Sequence, residues 1–120
     1  MKNGSFADRL GYALKGIGIV WKREKSFRMH CGFALLAIAV AAFVRAPLVW
    51  WALVGLCIAI VFAAEMVNAS LEYLIDRLHP EQHEEIGHAK DAAAGAVLLA
   101  SIGTACVGVL MLAQWYFARQ

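Results

Sequence analysis

Three long apolar stretches run through this chain, and they leave little choice of architecture. A helix of about 20 predominantly apolar residues crosses the hydrocarbon core of a bilayer, and stretches of that kind occupy residues 29–45, 47–71 and 92–117. With 62% hydrophobic residues and a mean hydropathy of +0.63, the 120 residues are too apolar for a soluble domain and too few for more than one. The expectation is an all-α membrane protein, one domain over 1–120, with three transmembrane helices. The segment before the first span holds no continuous apolar run, so a cleaved leader is not expected.

Charge sets the expected orientation. Lys2, Arg9, Lys15, Lys22, Arg23, Lys25 and Arg28 precede the first span, seven of the eleven Lys and Arg residues. Such a bias places the N-terminus in the cytoplasm. Three crossings then put the turn at Arg45 outside, residues 72–91 inside and the C-terminus outside. Over residues 5–25, Phe6, Leu10, Ala13, Leu14, Ile17 and Trp21 recur every three or four positions with charges between them. That period predicts an amphipathic helix lying on the membrane surface. Cys31, Cys57 and Cys106 form no CxxC pair and read as small core residues.

The second apolar stretch ends in an unusual way. In AAEMVNASLEYLID, residues 63–76, Glu65, Asn68, Glu72 and Asp76 follow one another at steps of three, four and four. A helix repeats every 3.6 residues, so the four line one face. A carboxylate in hydrocarbon costs at least a few kcal/mol, which makes Glu65 a functional candidate; the bland reading is a side chain that snorkels to the headgroups. Three helices enclose little interior, and keeping this stripe from lipid calls for partners on the N-terminal helix, the third span or another subunit. A homo-oligomer is expected on that ground.

Residues 72–91, EYLIDRLHPEQHEEIGHAKD, gather carboxylates with three histidines, Arg77 and Lys90. His79 and His83 have a zinc-compatible spacing if helical, but Pro80 fits a helix start better than an interior. His83 and His88 are five apart, one too many for HExxH. A hard cation held by carboxylates is the other reading: magnesium takes one or two protein carboxylates and completes its shell with phosphate and water. Phosphoryl transfer needs such a metal, a base for the acceptor hydroxyl and cations for the developing charge. Glu65 is the deepest carboxylate, Glu72 lies two turns nearer the cytoplasm, and Lys90 and Asp91 stand at the start of the third helix. Gly11 and Gly16 have P-loop spacing, but Ile17 occupies the lysine position, so any nucleotide site is of another kind.

These residues carry a resemblance. Glu65-Met-Val-Asn68-Ala-Ser-Leu-Glu72-Tyr-Leu-Ile-Asp76, followed by His83 and by Ala89-Lys90-Asp91 with AAAGAVLL behind it, resembles the signature of the prokaryotic diacylglycerol kinase and undecaprenol kinase family. Trp21, Glu24, Phe27 and Arg28, and Ala13-Leu14-Lys15-Gly16, are similar to the family's segments before its first span. The resemblance covers roughly residues 6–112. It implies a three-span homotrimer of the bacterial inner membrane that moves the γ-phosphate of magnesium ATP onto the hydroxyl of a membrane lipid, at sites shared between subunits. By position, Glu65 is then the general base and Glu24 and Glu72 hold Mg2+. Asn68, Lys90 and Asp91 contact the nucleotide or orient the site, and Tyr12, Glu81, Gln82 and His83 fall where the family meets ATP. Asp76 is divided between a functional and a loop-holding role.

Two departures stand out. Ala69 and Ser70 exchange the family's usual order, which moves a hydroxyl to another helix face, and Tyr73 replaces a common Ala. Phe27-Arg28-Met29-His30 and Ala94-Gly95-Ala96-Val97-Leu98 resemble the undecaprenol branch more than the diacylglycerol branch. The competing function is a non-catalytic assembly or regulatory protein with a cation-binding acidic loop. It accounts for spans and charge bias equally well, but not for Glu24, Glu65 and Glu72 at the family's spacing.

Overall fold

The computed structural model describes residues 4–120; Lys2, one of the seven N-terminal cations, lies outside them. Four helices follow in order: α1 (Phe6–Arg23), α2 (Lys25–Phe43), α3 (Leu48–Leu78) and α4 (Glu84–Ala118). The last three are long and apolar enough to cross a membrane. The protein is a multi-pass membrane protein.

Each boundary has a local cause. At the start of α1 the Asp8 amide donates to Ser5 Oγ at 3.2 Å and the Ser5 amide to the Asp8 carboxylate at 3.3 Å, the reciprocal pair of a capping box. A single residue separates α1 from α2: Glu24, extended at φ −112°, ψ 108°. After α2 the chain turns through Arg45 at φ 52°. The Arg45 amide donates to the Ala42 carbonyl at 3.1 Å and the Ala46 amide to the Ala41 carbonyl at 3.0 Å, the Schellman pattern with a left-handed residue just past the helix. Pro47 then prevents continuation and caps α3.

The third crossing helix starts earlier than its apolar stretch. Hydropathy places the span from 92, whereas α4 begins at Glu84. His83 caps it by accepting the Glu85 amide at its Nδ1, 3.1 Å away, and Glu84 and Glu85 sit favourably against the positive end of the helix dipole. Pro80 stands in the connection and not at a helix start. Apolarity marks where the membrane begins; capping marks where the helix begins.

Helices α3 and α4 pack along much of their length, α2 lies against α3, and α1 touches α2 and α3. Two apolar clusters hold them. One joins Val20, Phe27 and Ala69, with Cys31, Phe62, Met66 and Tyr73 around it, and the Phe27 and Phe62 rings lie 4.9 Å apart. The other, at the opposite end of the spans, joins Ala41, Val54 and Met111, beside a hydrogen bond from the Trp50 indole to the Gln114 side-chain carbonyl. Elsewhere the large apolar side chains point outward, as Leu35, Leu48 and Leu99 do. A bilayer or a second subunit solvates such a surface; water does not.

Candidate functional site

The polar stripe foreseen on the second span is intact, because α3 stays helical to Leu78 and so carries Glu65, Asn68, Glu72 and Asp76 on one helix. The four occupy different surroundings.

Glu65 is 4% exposed, the one charged side chain buried among the described residues. Two groups from α2 meet its Oε1: the Ser26 hydroxyl donates at 2.7 Å, and His30 Nδ1 lies 2.5 Å away. The same Nδ1 is 3.0 Å from the Ser26 carbonyl. A carbonyl only accepts, so Nδ1 carries the proton and donates to both oxygens. Nε2, on the other edge of the ring, is 3.4 Å from Ser101 Oγ of α4. A carboxylate taken out of water must be hydrogen-bonded to be tolerable, and α2 supplies what the burial of Glu65 demands. Sequence reasoning overlooked Ser26 and His30 as site residues. Their signal was present: two polar side chains four apart, hence on one face, where the first span begins.

One to two turns toward the α3–α4 connection lies a set of oxygens. Asn68 Nδ2 donates to Glu72 Oε1 at 3.3 Å, while Asn68 Oδ1 is buried without a hydrogen-bond partner. Tyr73, the residue after Glu72, donates its hydroxyl to Glu24 Oε1 at 2.8 Å and has the Arg23 guanidinium over its ring at 4.0 Å. The bulk of Tyr73 therefore has a use, as it ties the α1–α2 elbow to α3. Among the described residues no three His, Cys, Asp or Glu side chains cluster tightly enough to hold a metal. The donors here still suit magnesium, which needs only one or two carboxylates and phosphate oxygens besides. Glu24 and Glu72 would be the carboxylates, and the orphaned Asn68 oxygen is an acceptor awaiting a cation or donor. Ser70 Oγ turns back to the Val67 carbonyl at 2.8 Å, so its hydroxyl serves its own helix.

At the outer end of the stripe, exposed Asp76 pairs with Lys90 Nζ at 2.5 Å, tying α3 to α4. Lys90 also borders a concavity of about 420 Å³ that Glu81, Gln82 and His83 help to line. Four of the expected nucleotide contacts thus share one hollow. Because α4 begins at Glu84, Lys90 and Asp91 stand about two turns inside it and not at its start; Asp91 is exposed there, and Tyr12 is exposed on α1 with no hydrogen-bond partner among the described residues. Neither joins the hollow.

A second groove, of about 450 Å³, runs along the spans. Its walls are almost wholly apolar, and His30, Ser101 and Thr104 are its polar lining.

Comparison with known proteins bears on this arrangement. Residues 11–112 match the family described as prokaryotic diacylglycerol kinase. The chain is 34% identical over 92 residues to a diacylglycerol kinase of Escherichia coli strain K12, covering 77% of this chain and 75% of that one. It is 28% identical over 100 residues to an undecaprenol kinase of Bacillus subtilis strain 168, covering 83% and 81%. A diacylglycerol kinase of Haemophilus influenzae is 32% identical over 89 residues, covering 74% and 75%.

Proposed function

The chain belongs to the prokaryotic diacylglycerol kinase family, and from that premise we propose that it transfers the γ-phosphate of ATP directly to the hydroxyl of a membrane lipid, diacylglycerol or undecaprenol. The observation that carries the reading is the grading of the α3 stripe, from a buried, hydrogen-bonded Glu65 to an exposed Asp76 beside the Lys90 hollow. A lipid kinase must place a hydroxyl at the edge of hydrocarbon and a polyphosphate in water, and this stripe spans that boundary.

The chemistry follows from the two ends. The lipid hydroxyl attacks the γ-phosphorus, its oxygen–phosphorus bond forms as the bond to the β-phosphate oxygen breaks, and ADP leaves. Glu65 provides the basicity that takes up the hydroxyl proton. Glu24, Glu72 and Asn68 Oδ1 would hold Mg2+, which when bound would supply positive charge to neutralise the phosphate oxygens. Lys90, Glu81, Gln82 and His83 border the nucleotide; Tyr12 and Asp91 lie outside that hollow, and their part in nucleotide binding rests on the family's spacing alone. Asp76 acts as the strut that holds Lys90. Because α1 and α2 cover only part of the stripe in one chain, a further subunit is needed to complete it, and the family's pattern makes that assembly a homotrimer with shared sites; the N-terminal cations put α1 on the cytoplasmic face of the inner membrane.

Purified protein in mixed micelles with labelled ATP, magnesium and a panel of lipid alcohols tests the activity. Label should pass to diacylglycerol, undecaprenol or both, and the ratio names the acceptor; silence on every alcohol would return the chain to a non-catalytic role. The orientation is tested by cysteine labelling: Gln82→Cys should resist impermeant reagents applied outside intact cells, and modification there reverses the topology.

A further inference from the structure

Carboxylates are confined to one end of this molecule. All nine Asp and Glu residues lie in α1, at the elbow, in the second half of α3, in the α3–α4 connection or in the first turns of α4. At the opposite end of the spans, where α2 stops, α3 starts and α4 stops, the charged side chains are Arg45 and Arg119. Both are exposed, and among the described residues neither pairs with a carboxylate. They line one concavity of about 250 Å³, walled by Val44, Trp50, Met111 and Trp115. The Arg119 guanidinium lies over the Trp115 ring, 4.8 Å from its centroid. Arg45 stands at φ 52°, a left-handed position just past a helix that ordinarily falls to glycine. The turn itself does not call for an arginine there.

A neighbouring copy in the same orientation brings two more arginines to this end and no side-chain carboxylate, so the counter-charge must come from outside the protein. We propose that the concavity binds the phosphate of an anionic phospholipid headgroup, seated between the ends of α2 and α4. Phe43 and Leu48 beside it are 80% and 85% exposed and require hydrocarbon around them. The concavity therefore opens at the depth where acyl chains give way to headgroups, the depth that Trp side chains favour. A guanidinium offers phosphate oxygens two parallel N–H donors, and the acyl chains of the same lipid solvate the apolar flank. A zwitterionic headgroup carries its own cation, which leaves the anionic phosphodiester as the better complement to two arginines. Three helix ends meet here, so a bound headgroup stabilises their junction. None of these residues belongs to the α3 stripe or the Lys90 hollow, and the site does not depend on kinase activity.

The full chain in phosphatidylcholine bilayers, with a trace of spin-labelled phosphatidylglycerol or spin-labelled phosphatidylcholine, reads the preference directly. Wild-type protein should retain phosphatidylglycerol selectively, and Arg45→Gly and Arg119→Gln should each lower its relative affinity about fivefold. Arg45→Gly is the cleaner variant, since glycine suits the left-handed backbone and the turn survives. Equal retention of the two lipids by wild-type protein would overturn the proposal. So would a preference undiminished in the double variant, which would assign the selectivity to the N-terminal cations instead. Thermal unfolding of wild-type protein in detergent separates the sources of phosphate without a variant. Phosphatidylglycerol should raise the midpoint, whereas millimolar inorganic phosphate should act no differently from chloride at equal ionic strength. A midpoint that phosphatidylglycerol leaves unmoved, or that inorganic phosphate raises as far, would rule out a headgroup site.

Discussion

The deep and shallow ends of the α3 stripe are built on opposite principles. At the deep end Glu65 is enclosed, and α2 reaches across to it with a hydroxyl and an imidazole on short side chains. At the shallow end the exposed Asp76 carboxylate meets the partly exposed Lys90 at the end of its long flexible stem, and the hollow beside them is lined by the α3–α4 connection and the first turns of α4. Holding a buried charge requires that its partners be in place before any substrate arrives, because low dielectric magnifies both the pairing and its loss. An exposed pair can break and reform at little cost. One end is thus organised within the single chain, while the other is arranged to receive something.

Substitutions probe how deep this contrast runs. The largest effect is expected at Glu65: Glu65→Gln preserves size and removes the proposed base, and should lower turnover by about 10²- to 10⁴-fold with ATP affinity nearly unchanged. Measuring both on a size-checked preparation separates chemistry from assembly, and near-normal turnover would erase the distinction between the ends. Next come Glu24→Gln and Glu72→Gln, each expected to weaken magnesium-dependent ATP binding by about 10- to 100-fold. Titration of ATP binding against magnesium reads this, and an unchanged dependence in both would move the metal elsewhere. Tyr73→Phe removes only the hydroxyl that holds Glu24, so the same titration should shift by about tenfold, with turnover at saturating magnesium preserved. The smallest effect belongs to Asp76→Asn. An exposed ion pair is worth about 0.2–1 kcal/mol, and thermal unfolding in micelles should change little. A loss of turnover like that of Glu65→Gln would show that the shallow end is fixed in advance just as the deep end is.

Much of the architecture was legible because the bilayer imposes it. Apolar length located the spans, and the 3.6-residue period put the four stripe residues on one helix. Other features escaped for physical reasons. Glu65 and His30 are far apart in sequence, and only the register of α2 against α3 makes them neighbours. The eight residues by which α4 precedes its apolar stretch were invisible to hydropathy, since His83, Glu84 and Glu85 favour a helix start by capping and charge. Tyr73 was readable as bulk but not as a donor, because its acceptor lies across the elbow on Glu24. Family spacing named Glu24, Glu65 and Glu72. It offered nothing on which groups keep those carboxylates in place.

Glutamate is a good helix former, so nothing in the residue type at the elbow stops α1 from running on into α2 as one rod. The break at Glu24 is held from both sides: the Arg28 guanidinium of α2 donates to the Trp21 and Lys22 carbonyls at the end of α1, and the Tyr73 hydroxyl donates to the Glu24 carboxylate with the Arg23 guanidinium over the Tyr73 ring. The latch and the proposed magnesium ligand are the same side chain. A cation drawing on Glu24 Oε1 competes with the phenol for it, so ion occupancy and the posture of α1 form a single linked equilibrium, in which each must change the other's free energy by an equal amount.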